Sequence, residues 1–278
     1  MEQTEQKTYI HNPFETKVCP KCGHKYDALQ PKCPKCKEPF ETSRALPFNE
    51  VTFTNPFIEI VLFFVGWLGV KGLVEIISPI LRDMVLNGSL PASEANMTLN
   101  YAVYGVLFVI MMGITSIYLP KILKSFTKPD FLWGIIVYAV IFGFDIVWGS
   151  ISSSLGATTN QNQEAINTIT KINLPMSLLF LGFIGPICEE LTYRVGLFNF
   201  TRRVNRIMGY ILSAAIFGLI HIHDYGSLNE WLSYPTYLFA GLAFAFAYEK
   251  WGLGASALAH ISNNVLSLLM VYFLSQPQ

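Results

Sequence analysis

The sequence predicts an all-α, polytopic transmembrane helix bundle of about seven spans, preceded by a small cysteine-containing module. Of its 278 residues, 52% are hydrophobic and only 14% are charged, whereas a soluble domain carries about 25% charged residues. From Asn55 onward, long apolar runs alternate with short polar ones, and a spanning helix needs roughly 20 apolar residues. The 19 basic and 19 acidic residues balance, so no nucleic-acid surface is expected.

Residues 1–50 form the predicted cysteine module, and residues 51–278 form the predicted bundle. The module contains two Cys-Pro-Lys-Cys pairs with ten residues between them. Such pairs supply four thiolates for one tetrahedral Zn²⁺, and a unit this small would take most of its stability from the metal. The alternative is a disordered tail with chance cysteines. The pattern resembles a zinc ribbon holding a structural zinc ion, with these predicted ligands: Cys19, Cys22, Cys33 and Cys36.

The predicted spans follow the apolar runs of the second region. Several of them contain features that a lipid-facing helix avoids, such as Lys71 and Glu75 in the first span. The third span contains Asp145, and the fourth contains Pro186, which we expect to break its helix. The seven spans lie at about 57–80, 99–119, 131–153, 173–197, 207–225, 232–249 and 252–275.

Basic residues in the short loops predict the orientation of the bundle, because Lys and Arg favour the cytoplasmic side. Basic residues follow the second, fourth and sixth predicted spans, whereas the intervening loops carry few. We therefore expect the N-terminus in the cytoplasm and the C-terminus outside. Residues 1–18 contain no apolar stretch, so we expect no cleavable signal peptide and a first span that acts as an uncleaved signal. A cytoplasmic cysteine module would be in a reducing compartment, which agrees with zinc rather than disulfides.

The fourth predicted span contains two adjacent carboxylates, Glu189 and Glu190, followed by Arg194. Glu190 and Arg194 are four residues apart, so they share a helix face and can form an ion pair. Glu189 lies about 100° around the helix and remains available. A desolvated carboxylate suits general-base chemistry. The alternative is a structural Glu/Arg cluster at the membrane interface.

The fifth and seventh predicted spans each contain a candidate histidine. His221 ends a Phe-x-x-x-His pattern, whereas His223 is interpreted as a loop residue beside Asp224. His260 and Asn264 are four residues apart and can donate hydrogen bonds to one acceptor, an arrangement that suits a developing oxyanion. Taken singly, each of these side chains could instead make ordinary packing or interhelical hydrogen bonds.

Taken in order, the patterns EExxxR, FxxxH and HxxxN on three apolar spans resemble the CPBP family of CAAX proteases and bacteriocin-processing enzymes, also called the Abi family. The resemblance covers about residues 173–275. One departure is that Val195 follows the motif arginine, where many members have glycine; Gly196 comes one residue later. We expect this difference to affect helix packing more than chemistry.

The resemblance implies a role for each motif residue. Glu189 resembles the glutamate that activates water, and His221 resembles its partner, which holds that water or passes its proton. His260 and Asn264 resemble the oxyanion-stabilising pair. Glu190 and Arg194 resemble residues that fix the helix.

The resemblance implies an intramembrane endopeptidase that acts on membrane-associated, CAAX-like or bacteriocin-like peptides or on membrane proteins. Family members are often labelled metalloproteases. The sequence has no HExxH spacing, and a Glu–His water site works without metal, so we expect no obligatory catalytic metal. Two alternatives remain: a catalytically silent membrane scaffold or regulator, and a transporter. The zinc ribbon is an addition to the family core and would suit a protein partner.

Overall fold

The computed structural model describes residues 16–27, 33–37, 55–124 and 126–274. Most of this part is helical. Strands β1 (Thr16–Val18) and β2 (Lys25–Asp27) form an antiparallel pair. The longer helices are α1 (Pro56–Leu86), α2 (Ala92–Thr115), α3 (Leu119–Lys124), α4 (Lys128–Ser154), α5 (Gln161–Ile172), α6 (Leu174–Arg202), α7 (Arg206–Leu219), α8 (Leu228–Trp251) and α9 (Leu253–Leu274).

Polar side chains determine where several helices begin. Asn55, Asn160, Asn205 and Ser227 each accept a hydrogen bond from a backbone N–H in the first turn of the helix that follows. Such caps satisfy N–H groups that have no partner within the helix. They therefore fix the entry of α1, α5, α7 and α8, although the apolar pattern alone leaves these boundaries open.

Five helices of the described chain are long and apolar enough to cross a membrane: α1, α2, α4, α6 and α9. The prediction of a membrane bundle is confirmed, but the predicted number of seven spans is not. Helix α7 has 14 residues and would extend only about 21 Å, less than the ~30 Å hydrocarbon core. Helix α8 has 24 residues, but its first half is rich in polar and hydroxyl-bearing side chains.

The outer surfaces of the spanning helices are apolar. Large hydrophobic side chains project outward from α1, α2 and α4, among them Ile76 (65% exposed), Val109 (70%) and Val147 (59%). Contiguous exposed apolar surface of this kind is rare on soluble monomers. Lipid is the environment that would cover it.

Helix α6 continues through Pro186, so the prediction that this proline breaks the helix is wrong. The helix has π-helical turns at Leu178–Ile184 and Leu191–Phe198, on either side of Gly185–Glu190. At the first of these, the N–H of Gly185 bonds to the carbonyl of Phe180, five residues earlier. Proline has no N–H to donate. Wider turns of this kind accommodate it, because they let the carbonyl groups nearby form other hydrogen bonds.

Helix α6 lies at the centre of the bundle, and all eight residues of its second π segment are buried. Gly196 lets α1 approach closely, because a Cβ atom there would lie 2.8 Å from the backbone nitrogen of Phe63. Gly241 does the same between α8 and α7, since its Cβ would lie 2.9 Å from the Cα of Ala214. Small residues at crossings are typical of membrane helix packing. Gly196, the glycine after Val195, thus contributes to helix packing.

Candidate active site

The two adjacent carboxylates of α6 lie in different surroundings, one in the packed core and one at a cavity. Glu190 is fully buried, whereas Glu189 is partly exposed and lines a cavity of about 700 Å³. Successive residues of a helix point about 100° apart, so neighbouring side chains can face a packed core and an open cavity. The sequence prediction that the two glutamates differ in environment therefore agrees with their positions.

Glu190 lies among three partner side chains from two helices, α6 and α9. Its Oε2 is 3.4 Å from the Nε of Arg194, its Oε1 is 2.9 Å from the Nδ1 of His260, and the hydroxyl of Ser256 donates to it. The guanidinium of Arg194 also lies over the rings of Phe217 and Phe244, at 4.7 and 5.3 Å from their centroids. The predicted i, i+4 ion pair is present, and a buried charge needs such compensation.

Glu189 has fewer partners. Its Oε1 accepts a hydrogen bond of 2.9 Å from the hydroxyl of Tyr104 on α2, and its Oε2 lies 3.5 Å from the Nε2 of His260. The remaining acceptor capacity of the carboxylate faces the cavity. The sequence analysis missed Tyr104, because a tyrosine within an apolar span resembles many others; only its contact with Glu189 distinguishes it.

His260 of α9 connects the two glutamates. Its Nδ1 pairs with Glu190 and its Nε2 points toward Glu189. The ring stacks on Phe244 with centroids 4.4 Å apart, and Phe217 packs edge-on at 5.6 Å. These contacts hold the imidazole in one orientation, with one nitrogen in the core and the other toward the cavity.

His221 does not lie within a spanning helix, which corrects the prediction of a span at 207–225. Helix α7 ends at Leu219, and His221 occupies the turn that follows. Its Nδ1 lies 2.7 Å from the carbonyl oxygen of Phe217. A carbonyl only accepts, so Nδ1 carries the proton in this contact and the neutral ring leaves Nε2 as an acceptor. His223 is exposed in the same loop, where the sequence analysis had placed it.

A tyrosine holds the ring of His221 from the other side. The ring of Tyr237 on α8 stacks on the imidazole with centroids 4.3 Å apart. The hydroxyl of Tyr237 accepts hydrogen bonds from the side chains of Asn160 and Asn162 at the start of α5. The position of His221 is thus linked to α5, a contact that no local sequence pattern indicates.

Asn264 lines the cavity with His260, but one of its donors is already used. Its Nδ2 donates to the carbonyl oxygen of Leu181 at 3.0 Å. In the π-helical register at this point, the donor for Leu181 would be the N–H of residue 186, and proline has none. Asn264 therefore satisfies a carbonyl that Pro186 leaves without a partner. His260 and Asn264 contact different protein groups, Glu190 and the carbonyl of Leu181, and their predicted donation to one developing oxyanion stays a prediction.

The structure brings Glu189, His221, His260 and Asn264 to the wall of one cavity, although they come from α6, a turn and α9. Comparison with known proteins places them within one family match. Residues 171–266 match the family described as Type II CAAX prenyl endopeptidase Rce1-like. This region is therefore similar to the Rce1-like CAAX protease family.

Two curated relatives illustrate the similarity. The membrane-embedded CAAX protease MroQ of Staphylococcus aureus is 27% identical over 126 residues, which are 42% of this chain and 47% of MroQ. An uncharacterized protein of Mycoplasma capricolum is 28% identical over 135 residues, 46% of this chain and 38% of the relative. The chain thus spans less than half the length of either relative. No solved structure matches.

The cysteine module lies outside the CAAX protease match. Of the predicted module 1–50, the structure describes 16–27 and 33–37, and the remainder lies outside the described residues. The Sγ atoms of Cys19 and Cys36 are 3.6 Å apart, and those of Cys22 and Cys33 are 3.5 Å apart. Two thiolates on one tetrahedral zinc would be about 3.8 Å apart, given Zn–S bonds of ~2.3 Å. The four thiols could therefore hold a metal ion, and thiolates are soft ligands that suit zinc.

The pKa of the Cys33 thiol also favours cation binding. Burial raises the pKa of Cys33, but the backbone N–H groups of Cys36 and Lys35 and the neighbouring thiols outweigh it and lower this pKa to about 6. A thiol with such a pKa is a thiolate at neutral pH, and the thiolate is the form that ligates metals. Among the described residues, these four cysteines form one group of potential ligands that lie close enough together to share an ion.

Proposed function

We propose that this chain is an intramembrane endopeptidase in which Glu189 activates a water molecule for attack on a peptide carbonyl. The observation that carries the proposal is the environment of Glu189. Its carboxylate faces a cavity with one tyrosine donor and the Nε2 of His260, rather than a full set of partners. A carboxylate held in this way keeps acceptor capacity for a water proton.

In the proposed reaction, water is held between Glu189 and the Nε2 of His221. Glu189 removes a proton from the water as its oxygen forms a bond to the carbonyl carbon, and the carbonyl oxygen becomes an oxyanion. The second Nδ2 hydrogen of Asn264 donates to that oxyanion. His260 keeps its Nδ1 on Glu190 and directs its Nε2 toward the cavity, where an N–H at that atom would be the second donor. Collapse breaks the C–N bond, and the proton on Glu189 passes to the leaving amine.

Glu190 and Arg194 support this chemistry by holding other groups of the site in place. Glu190 fixes the Nδ1 side of His260, and the Arg194 ion pair compensates the buried carboxylate. No step is assigned to a metal. The proposed substrates are membrane-associated peptides or membrane proteins, including CAAX-like peptides, because MroQ is named a CAAX protease.

The proposed organisation has a zinc-ribbon module at residues 1–50, on the cytoplasmic side, before a bundle at 51–278. We propose that the module binds structural zinc through its four cysteines and contacts a protein partner. The C-terminus would lie outside. Reporter fusions after Gln3 and Gln278 test this orientation, and finding both ends on one side would contradict it.

The deciding experiment measures peptidase activity of the purified full-length chain on a peptide library, with wild type beside Glu189→Gln. Glutamine keeps the size of the side chain but cannot accept the proton. We expect cleavage by wild type and none by the folded variant. A variant that cleaves normally would refute the role of Glu189. A cellular phenotype that persists in Glu189→Gln at normal expression would favour a scaffold.

A further inference from the structure

One wall of the cavity is formed by α4, which lies outside the family match. Helix α4 packs against α8 and α9, so it faces the residues that the proposed chemistry uses. The lining residues of α4 recur at helical spacing: Tyr138, Ile141, Asp145, Gly149 and Ser152 all border the cavity. Asp145 lies near the middle of this wall, seven residues or about 10 Å from Ser152 along the helix axis.

Asp145 is half-buried, and one of its carboxylate oxygens lacks a partner among the described residues. Its Oδ1 is buried and has no hydrogen-bond partner among the described residues. The neighbouring side chains hold the helix in place, because Phe144 stacks on Phe239 at 4.0 Å and the Nε1 of Trp148 donates to the carbonyl of Leu232 at 2.7 Å. The carboxylate is therefore fixed at the cavity, where an unpaired charge is costly.

Other buried carboxylates of the described chain have partners within it. Glu59 pairs with Arg203, Glu249 pairs with Arg206, and Glu190 pairs with Arg194. The Oε atoms of Glu230 accept from the backbone N–H groups of Gln161 and His223. Oδ1 of Asp145 differs from all of these, so a partner for it would have to come from outside the part of the chain that the structure describes.

The cavity favours a cation as that partner. Its described lining includes the carboxylates of Asp145 and Glu189 but no lysine or arginine. Tyr138 and Tyr237 line the same space, and aromatic faces attract ammonium and guanidinium groups. The remaining lining combines His221 and His260 with apolar and hydroxyl or amide side chains, a mixture that suits a peptide backbone.

We propose that Asp145 binds the side chain of a lysine or arginine in the peptide substrate. This proposal rests on the proposed peptidase function and names a specificity determinant for the same cavity. The substrate cation would replace the missing partner with a charge-assisted hydrogen bond. A substrate with a neutral residue at that position would leave the carboxylate unpaired.

The test compares internally quenched peptides in which a single lysine is moved along an otherwise neutral sequence, each beside its glutamine counterpart. The readout is the ratio of kcat/KM for the two peptides, measured with the full-length chain in nanodiscs. We expect wild type to prefer lysine at one position by about tenfold, the lower range for a hydrogen bond to a charged group. Asp145→Asn should bring this ratio close to one.

Two further variants exclude an indirect effect. Asp145→Glu retains the carboxylate and should retain most of the preference. Asp224→Asn removes an exposed carboxylate of the α7–α8 loop and should leave the ratio unchanged. Thermal unfolding of each variant checks that it is folded. An equal lysine-to-glutamine ratio in wild type at all positions, or the same ratio in wild type and Asp145→Asn, would overturn the proposal.

A binding measurement separates this proposal from the peptidase assignment. The full-length Glu189→Gln chain, with and without Asp145→Asn, is titrated with the same peptides carrying a fluorophore. Tighter binding of the lysine peptide that depends on Asp145 supports the cation site even if wild type cleaves nothing, and in that case only the proposed hydrolysis fails. Equal affinities for the lysine and glutamine peptides overturn the cation site.

Discussion

Two clusters of charged side chains in the bundle differ in how many hydrogen bonds and opposite charges their carboxylates receive. In the ion-pair cluster, beside the end of α6, Glu59 receives two hydrogen bonds from Arg203, and Glu249 receives bonds from Arg206 and from Tyr210. The cavity cluster consists of Glu189, Glu190, His221, His260 and Asn264. In it, Glu189 accepts one hydrogen bond from a tyrosine hydroxyl at 2.9 Å, and a histidine nitrogen lies 3.5 Å away.

The difference shows how the same residue type can serve stability or chemistry. A carboxylate held by a bidentate arginine has its charge and lone pairs engaged, so it contributes to the fold and has little capacity left for a substrate. Glu189 retains acceptor capacity and faces open space. Adjacent Glu190 belongs to the cavity cluster by position, but its arginine pairing resembles the ion-pair cluster.

The largest expected effect is on turnover, from Glu189→Gln. Loss of a general base lowers turnover by about 10²–10⁴-fold, and His221→Ala should act similarly because it removes the second group that holds the water. Both variants should remain folded. Turnover and thermal unfolding are measured together, with Glu249→Gln as the control from the ion-pair cluster. The comparison fails if Glu249→Gln lowers turnover per folded molecule as much as Glu189→Gln does.

Asn264→Ala is expected to lower turnover by roughly 10²–10³-fold, as for removal of an oxyanion donor. The structure adds a second consequence, because the carbonyl of Leu181 then loses its partner. The free energy of unfolding should therefore fall by about 1–3 kcal/mol. Kinetics and unfolding of Asn263→Ala, the neighbouring amide on the cavity wall, provide the control. Wild-type kinetics in Asn264→Ala would remove Asn264 from the proposed mechanism.

Glu190→Gln tests whether this carboxylate is structural. The change leaves Arg194 buried without its charged partner, and breaking a buried pair costs about 3–5 kcal/mol. Folded yield should fall along with activity. Glu249→Gln should cost less, about 1.5–3 kcal/mol, because Arg206 is 12% exposed. Thermal unfolding in one detergent ranks the two variants, and the reverse order would contradict the interpretation of Glu190.

Tyr104→Phe removes only the hydroxyl that donates to Glu189. Because that bond orients the proposed base, turnover should fall roughly tenfold, while the fold is retained. Tyr101→Phe is the matched control: it lies three residues earlier on α2, and its hydroxyl contacts Ser177 rather than Glu189. Equal kinetics for the two variants would show that the Tyr104 contact has no role in positioning Glu189.

The smallest effect on turnover is expected from loss of the metal. Full-length protein purified without chelator should contain one zinc ion, and a double variant, Cys19→Ser with Cys36→Ser, should contain none. Turnover should be unchanged, because none of the described residues of the module lies at the cavity wall. Less than about half an equivalent of zinc in wild type would contradict the tetrahedral four-thiolate site.

Much of this architecture follows from the sequence alone. The apolar runs predict a helical membrane bundle, because in lipid the backbone N–H and C=O groups of each run must hydrogen-bond to one another within a helix. The spacing of Glu190 and Arg194 predicts their ion pair, since i and i+4 share a face. The two CPKC pairs predict a four-thiol cluster. These features depend on residues that are close along the chain.

The tertiary structure decided what depends on distant residues. Hydropathy could not show that Pro186 leaves α6 continuous, because the π-helical turns and the hydrogen bond from Asn264 that accompany it depend on packing against α9. It also could not place His221 in a turn against Tyr237, or Tyr104 on Glu189. Nor could it show that Oδ1 of Asp145 has no partner among the described residues, because the helices that pack beside a charge determine what compensates it.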